Sequence, residues 1–377
     1  MTHKLLPFAL SALALASPAF AADEVAAPTV TVYGIAHLSV DLLDYTDDRG
    51  TPANFLDDED ESNLAVSSNS SRLGVKGEKA LTDALSVTYV FEWQVGATEE
   101  TKGANNNNLA RRVQWLGLKT GYGEWRVGRQ DTPLKLLRGK VDLFYSDQLG
   151  ESRTMTNASG MDARPDNVVQ LDLGKGALHG LFFYSADRAS DAIDDNDNDT
   201  LSAAITWESG AWFVGGGIEQ RSYATATRDS QPPGPTGLDD TRAVRVAASF
   251  KFGDGGNHKI GGLYEMTDNV NLNPATANRD RDLYGAGYSF KSGDNLFKAA
   301  YYIADDLSGV DDTGAAQISI GWDHLYGKNA VLYVTAASMS NDDAASFKVV
   351  GVGHDGEISS AIGEGNSGVS AGLLYRF

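Results

Sequence analysis

Three groups of residues have spacings that support chemistry in other proteins. Gly351–Gly356 matches the G-x-G-x-x-G pattern of dinucleotide-binding loops, but no helical pattern follows it, and such a site requires a helix. Asp195, Asp197 and Asp199 have the alternating spacing of a calcium-binding loop, yet that loop's glycine and distal glutamate are missing. The six histidines are scattered and make no spacing for a nucleophile or a metal. We therefore expect no enzymatic activity, no resident cofactor and no dedicated metal site.

The charge balance is strongly acidic, with 31 Lys and Arg against 51 Asp and Glu and a formal net charge of −20. Such a chain repels phosphates, so we expect no nucleic-acid partner. Many of the acids lie in two stretches that lack strand periodicity, residues 45–66 and 191–199. These stretches should attract cations and repel anions over a screening length of ~8 Å at physiological salt.

The first residues predict an export signal. Lys4 is followed by an apolar run over residues 5–15, and residues 19–21 (Ala-Phe-Ala) offer a cleavage site, so we expect a signal peptide of residues 1–21 cut after Ala21. An N-terminal membrane anchor is the alternative, but the run falls short of the ~20 residues that a spanning helix needs. The chain has no cysteine, which excludes disulfides. Residues 22–377 are predicted to form a single domain.

Apolar and polar residues alternate with a period of two through most of the mature chain. In residues 29–41 the even-numbered positions are apolar or small, and most odd-numbered positions are polar. Residues 86–95 repeat the pattern, with aromatic Tyr89, Phe91 and Trp93 on one face. This period predicts strands, and runs of ~9–12 residues are long enough for a tilted strand to cross a membrane.

The connections between these runs alternate between short and long along the chain. Seven short and eight long connections imply about sixteen strands, with both termini on the side of the short turns, as in outer-membrane barrels. Closure is required because an open sheet edge in lipid would leave backbone groups without partners. A soluble β-sandwich or propeller is the alternative, but it does not predict this asymmetry of loops. We therefore predict an all-β fold, a closed antiparallel 16-stranded transmembrane β-barrel.

Residues 130–167 do not follow the strand pattern. They mix apolar residues such as Leu134, Leu137 and Phe144 with charges at no fixed period, which predicts one long, partly packed loop. Counted along the barrel, it is the third long loop. We expect it to fold inward into the bore, with its apolar residues packed against the wall.

Several motifs of the sequence resemble those of one family, the general Gram-negative outer-membrane porins. Ser70–Gly77 resembles that family's S-R-L-G-x-K-G strand, Thr31–Gly34 its first strand, and Gly117–Lys119 its fourth. Val127–Arg129 precedes the third loop, and the chain ends Leu374–Phe377, like the aromatic carboxy terminus that the barrel assembly machinery recognises. The resemblance covers the whole mature chain and is specific through the order of its motifs.

The resemblance implies a homotrimer of water-filled diffusion channels, each narrowed by its third loop. In that family, acidic residues of the loop face a ladder of arginines on the opposite wall. The matching wall arginines are Arg72, Arg112 and Arg164, while Ile35 stands where many relatives carry a further basic residue. A structural salt bridge between strands is the alternative role for each arginine. Arg129 is predicted to anchor the base of the loop.

The resemblance also assigns acids to the loop. Asp142, in Gly139–Asp142, matches the segment that bears the family's first constriction carboxylate. The usual Pro-Glu-Phe-Gly-Gly tip is absent, so Asp147 and Glu151 remain alternative second acids of the constriction. Charges on opposite walls of a narrow passage set up a transverse field that favours small polar solutes.

The expected function is passage of small hydrophilic solutes and ions across the outer membrane of a Gram-negative bacterium. The acidic outer loops and the missing basic residue at position 35 favour a weak cation preference. Expected partners are membrane lipid and lipopolysaccharide, bridged by loosely bound Ca²⁺ or Mg²⁺, and the assembly machinery through Phe377. A substrate-specific channel and an outer-membrane lipase or protease are the alternatives.

Overall fold

The computed structural model describes residues 27–50, 56–98, 109–144, 147–186, 199–222, 240–270, 278–351, 353–354 and 358–377. The predicted signal peptide and most of the acidic stretch 191–199 lie outside the described residues. In the part of the chain that is described, no helix is long and apolar enough to cross a membrane.

Strands make up most of the described chain, in one antiparallel sheet. Their bounds are β1 Thr29–Asp47, β2 Glu59–Ser68, β3 Arg72–Thr82, β4 Leu85–Val95, β5 Leu109–Thr120, β6 Gly123–Arg129, β7 Val168–Lys175, β8 Leu178–Ser185, β9 Thr200–Ser209, β10 Trp212–Arg221, β11 Thr241–Phe252, β12 His258–Val270, β13 Arg279–Ser292, β14 Asn295–Ala304, β15 Ala315–Tyr326, β16 Ala330–Asn341 and β17 Asn366–Arg376.

The sheet closes on itself through its first and last strands. Strand β1 pairs with β17 from Ile35–Arg376 to Asp44–Ser367. Along its other edge β1 pairs with β2 and then with β3, so these two segments form one barrel strand interrupted at residues 69–71. The wall therefore has sixteen strands, and the predicted closed antiparallel barrel is confirmed.

The alternation along the strands separates an apolar outer face from a polar inner face. In β1, Leu38, Val40 and Leu42 are exposed on the outside, whereas Ser39 and Asp41 between them are buried. An apolar outer band is what a lipid-facing barrel requires, since lipid solvates no polar group. The buried inner residues show that the interior is filled by other parts of the chain.

The long connection between β6 and β7 fills much of this interior. It contains the helices α1 (Pro133–Val141) and α2 (Arg153–Thr156), which the sequence did not predict, followed by a 3-10 turn at Asn157–Ser159. Pro133 takes the first position of α1, where a missing N–H costs nothing. Leu134, Leu137 and Val141 follow at helical spacing and are buried, and α1 packs on β8 to β12.

Candidate functional site

The inner wall formed by β3 to β5 carries two of the predicted arginines. Arg112 donates from Nε to Glu92 Oε1 at 2.8 Å and from Nη1 to Gln94 Oε1 at 3.1 Å. Arg72 begins β3, opposite Gln94 on β4, so it belongs to the same stretch of wall. Arg112 thus forms the salt bridge between strands that the sequence offered as the alternative to a pore-lining role, and it does so on the inner face of the barrel.

The base of the third loop carries a second group of cations. Asp131 lies 2.8 Å from both Lys135 Nζ and Arg164 Nε, so one carboxylate is shared by two cations. Arg129 Nη1 lies 3.1 Å from Asp166 Oδ2, which joins the two ends of the loop, and the anchoring role of Arg129 stays a prediction. The ion pairs of Asp131 and of Asp166 follow from chain geometry, because the two ends of one loop must meet at the barrel wall.

The pKa values at the base of the loop are set by burial and by the shared carboxylate of Asp131. Burial by itself would raise the pKa of Asp131, but the charges of Lys135 and Arg164 hold it well below its usual range. Burial lowers the pKa of Lys135 to about 8, although Asp131 opposes that change. Burial also lowers the pKa of Arg164, which is close to the like charges of Arg112 and Arg153.

Asp147 is the loop acid that the fold brings to the wall arginines. Its Oδ1 lies 3.5 Å from Arg153 Nη1. Burial opposes its ionisation, but the charges of Arg153, Arg112 and Arg72 lower the pKa of Asp147 below its usual value. Asp147 is therefore in contact with a loop cation and within electrostatic reach of the arginines of β3 and β5.

Asp142 and Glu151 lie deeper in the loop. The carboxylate of Asp142 accepts hydrogen bonds from Arg138 Nη1, from the backbone N–H of Ser152 and from that of Phe144, each at 2.9 Å. Glu151 lies 2.6 Å from Arg138 Nη1 through Oε1 and accepts the N–H of Asp147 at 2.6 Å. Both side chains are almost completely buried, so their contacts are with the loop itself. Their predicted role in the constriction stays a prediction.

A buried ion-pair network joins the loop to the opposite wall, and the sequence did not reveal it. Arg138 Nε lies 2.7 Å from Asp162, and Asp162 accepts from Arg245 Nη1 at 2.6 Å. Arg245, on β11, also donates to Glu265 on β12 at 2.7 Å and to the carbonyl of Leu134 in α1 at 2.6 Å. The spacing of Arg138 and Asp142 by four residues could have predicted their ion pair on a helix. The pair of Arg245 and Glu265 depends on strand register, which the sequence does not show.

Charged side chains of the β3–β5 wall and of the adjoining third loop form a set that we call the basic cluster. Among the described residues it contains six cations and four carboxylates, which are Arg72, Arg112, Arg129, Lys135, Arg153 and Arg164 with Glu92, Asp131, Asp147 and Asp166. The cluster therefore carries excess positive charge in a chain that is acidic overall.

One hydrolase-like pattern in the sequence is structural. Gly368–Gly372 reads G-x-S-x-G, but the residues lie within β17, and Ser370 is completely buried. A nucleophile in that motif must be exposed on a sharp turn between a strand and a helix.

A closed sixteen-stranded barrel with an apolar outer face, a charged interior and an inward-folded third loop defines a channel of the outer membrane. The chain belongs to the Gram-negative porin family, whose model matches residues 9–344. It is accordingly an outer-membrane channel and not an enzyme, as the sequence predicted.

Individual relatives are similar to this chain at low identity. Outer membrane porin protein 32 of Delftia acidovorans is 24% identical over 377 residues, covering 97% of this chain and 99% of the relative. The solved anion-selective porin from Comamonas acidovorans has a TM-score of 0.73 at 21% identity, covering 93% of this chain and all of that one. The trimer form of Vibrio cholerae OmpT has a TM-score of 0.63 at 16% identity, with 93% and 100% covered. Likeness at that level establishes the fold.

Proposed function

We propose that the protein is a diffusion channel for small hydrophilic solutes and ions, filtered where the third loop faces the β3–β5 wall. The observation that carries this proposal is the contact of Asp147 Oδ1 with Arg153 Nη1 at 3.5 Å, within electrostatic reach of Arg72 and Arg112 of the wall. Fixed charges in a narrow, partly dehydrated passage act with little screening, so they orient dipolar solutes and exclude bulky apolar ones.

In this proposal the loop acids have two different roles. Asp147 is the carboxylate that faces the wall arginines across the passage. Asp142 and Glu151 act from within the loop, because their oxygens bind Arg138, Ser152 and the backbone of the loop. They set the shape of the passage by holding the loop against β11 and β12.

The proposed ion preference of the filter is for anions. Six cations against four carboxylates in the basic cluster lower the energy of an anion in the passage, where water is scarce. The structurally similar porin from Comamonas acidovorans is anion-selective, which supports this sign. The competing candidate is the weak cation preference expected from the acidic outer loops. Charges in those loops are screened by solvent over ~8 Å, which weakens their effect on the filter.

The proposed assembly is a homotrimer in outer-membrane lipid and lipopolysaccharide. The trimer form of the structurally similar OmpT supports the oligomeric state. Ca²⁺ or Mg²⁺ would bridge the acidic outer loops to lipopolysaccharide, with no resident cofactor. Phe377 would be the residue that the barrel assembly machinery recognises.

The deciding experiment combines planar-bilayer recording with liposome swelling. A reversal potential of anion sign across a KCl gradient, together with swelling rates that fall steadily with solute size, is the expected result. A cation sign would favour the outer-loop alternative. Flux that saturates at low solute concentration, with current block, would instead indicate a substrate-specific channel.

A further inference from the structure

The connection between β16 and β17 also folds into the barrel. We call its described residues, 342–351, 353–354 and 358–365, the last loop. Its apolar side chains are buried in the same cluster as inward-facing residues of the wall and of the third loop. The buried apolar residues of the last loop are Ala345, Phe347, Val349, Val350 and Ile358, which belong to this cluster, and Ala361, which lies outside it.

Polar contacts fix the two ends of the last loop. Asn341 and Asn366, which flank it, both donate from Nδ2 to the carbonyl of Phe347, at 2.9 and 2.8 Å. Further along, the N–H of Ala361 donates to the carbonyl of Thr46 at 3.0 Å. The last loop is therefore bound to β1 as well as to the strands that it connects.

The tip of the last loop is bound to the inner face of β1. His354 Nε2 lies 3.5 Å from Asp41 Oδ2, and both side chains are almost fully buried. Asp41 also accepts hydrogen bonds from Ser39 at 3.1 Å and from Ser67 at 2.5 Å, which hold its carboxylate toward the loop. A buried carboxylate is stable only when it is paired in this way.

The same tip contacts the third loop beside the basic cluster. Gly353 has a φ of 107°, and its carbonyl accepts from Ser70 Oγ at 3.2 Å. A Cβ on Gly353 would lie 2.5 Å from Asp147 Oδ1 and 2.6 Å from Ser70 Oγ. The N–H of Gly150 in the third loop donates to the carbonyl of Val349 at 3.3 Å. The absence of a side chain at position 353 thus permits the approach that places Asp147.

We propose that the last loop is a second selectivity-determining element of this channel. It covers the inner face of β1, β16 and β17, and through Gly353 and His354 it keeps Asp147 beside the wall arginines. Size limit and charge preference then depend on two loops that pack together. The inference rests on the proposed filter, of which Asp147 is one part.

Two single substitutions test the contact at the tip. Gly353→Ala inserts a methyl group where Asp147 and Ser70 lie, and His354→Ala removes the partner of Asp41. Each variant should have a higher single-channel conductance than the wild type and a reversal potential shifted further toward anions, because Asp147 is released from the basic cluster. Gly121→Ala, at a position with nothing within 4 Å, and His179→Ala, at an exposed position near the start of β8, are matched controls that should behave as wild type.

A reversible crosslink separates loop displacement from other effects of substitution. The chain has no cysteine, so a Thr154→Cys, Gly351→Cys pair would be its only thiols. A Cβ on Gly351 would lie 3.0 Å from Thr154 Cγ2 and 3.9 Å from Thr154 Cα, within reach of a disulfide. In the His354→Ala background, oxidation should return conductance to the wild-type value and reduction should raise it again.

Several outcomes would overturn the inference. Wild-type conductance in both tip variants would do so, as would a cysteine pair that fails to oxidise or an oxidised pair that leaves the His354→Ala conductance unchanged. A wild-type protein that conducts neither ions nor small solutes would instead refute the proposed function itself. The two failures are therefore distinguishable in one set of recordings.

Discussion

Gly34 and Phe377 exchange two backbone hydrogen bonds across the seam of the barrel, with N···O distances of 3.0 and 3.2 Å. The terminal residue is thus paired beyond the end of β17, and its ring lies over the α-carbon of Gly34. A side chain at position 34 would enter the space of this ring and approach the carbonyl of Arg72 to 2.7 Å. The chain end is a structural part of the closed wall.

Gly34→Ala should therefore weaken the seam. The added methyl group displaces the Phe377 ring or the β3 backbone, and overpacking of this kind costs about 1–3 kcal/mol. Thermal unfolding in detergent should show a lower midpoint than the wild type. Gly121→Ala, in an open turn, is the matched control and should leave the midpoint unchanged. Equal melting of the two variants would contradict the packing described for Phe377.

Asp162→Asn should loosen the third loop from the wall. The substitution keeps the shape but leaves Arg138 and Arg245 facing each other with one carboxylate fewer, and breaking a buried pair typically costs about 3–5 kcal/mol. Increased open-channel current noise and a lower thermal midpoint are expected. Asp44→Asn, on the exposed outer face of β1, serves as the control. Noise at the wild-type level would mean that other contacts hold the loop.

The ionisation of Glu151 should make the loop sensitive to pH. Burial raises the pKa of Glu151 to about 7 from an ordinary 4.5; Arg138 opposes the shift, while Asp147 and Asp142 add to it. Between these values the folded loop keeps a proton that the unfolded chain has lost. Stability is therefore fully present below the lower value and declines as the pH rises toward about 7.

Recordings at pH ~5 and ~7 test the expectation below the range in which Lys135, with a pKa of about 8, loses its proton. Current noise in the wild type should be larger at the higher pH, and Glu151→Gln should remove the difference because its amide does not titrate. Glu364→Gln, at an exposed position of the last loop, is the control and should retain the pH dependence. A pH effect that persists in Glu151→Gln would assign it to another group.

Arg72→Gln should shift the reversal potential toward cations. The substitution removes one positive charge beside Asp147 and reduces the surplus of the basic cluster from two to one. Its effect should shrink at high salt, since mobile ions screen fixed charges. Arg242→Gln, on the exposed outer face of β11, changes the same charge far from the passage and should leave the potential unaltered. A shift of equal size in both variants would point to net charge, not to the filter.

The wall of the barrel could be predicted from the sequence because its signals are local. A period of two gives each strand, and the alternation of connection lengths gives their number and arrangement. Helix α1 was not predicted because its apolar spacing extends over only nine residues, and because Lys135 and Arg138, between its apolar residues, are charged although they are buried. Their burial depends on Asp131, Asp162 and other partners that only the folded chain brings together.

The candidate site was predicted only where a motif or a chain end determined it. Arg72, Arg112, Arg129 and Arg164 were found from ordered motifs, and the structure places all four on the inside of the barrel or at the base of the loop. The contact of Arg245 with Glu265 required the register of β11 and β12, which the sequence leaves open. The last loop was not predicted to fold inward, because its composition does not distinguish a loop that lies outside the barrel from one that enters it.

The shared cluster inside the barrel also bears on the order in which the protein matures. Leu43 of β1 and Met339 of β16 lie on opposite sides of the β1–β17 seam, yet both contribute to the apolar cluster that includes the third and last loops. That cluster is complete only when distant ends of the chain have met, and contacts of long sequence separation form late in folding. Sealing the wall and narrowing the lumen therefore become a single event.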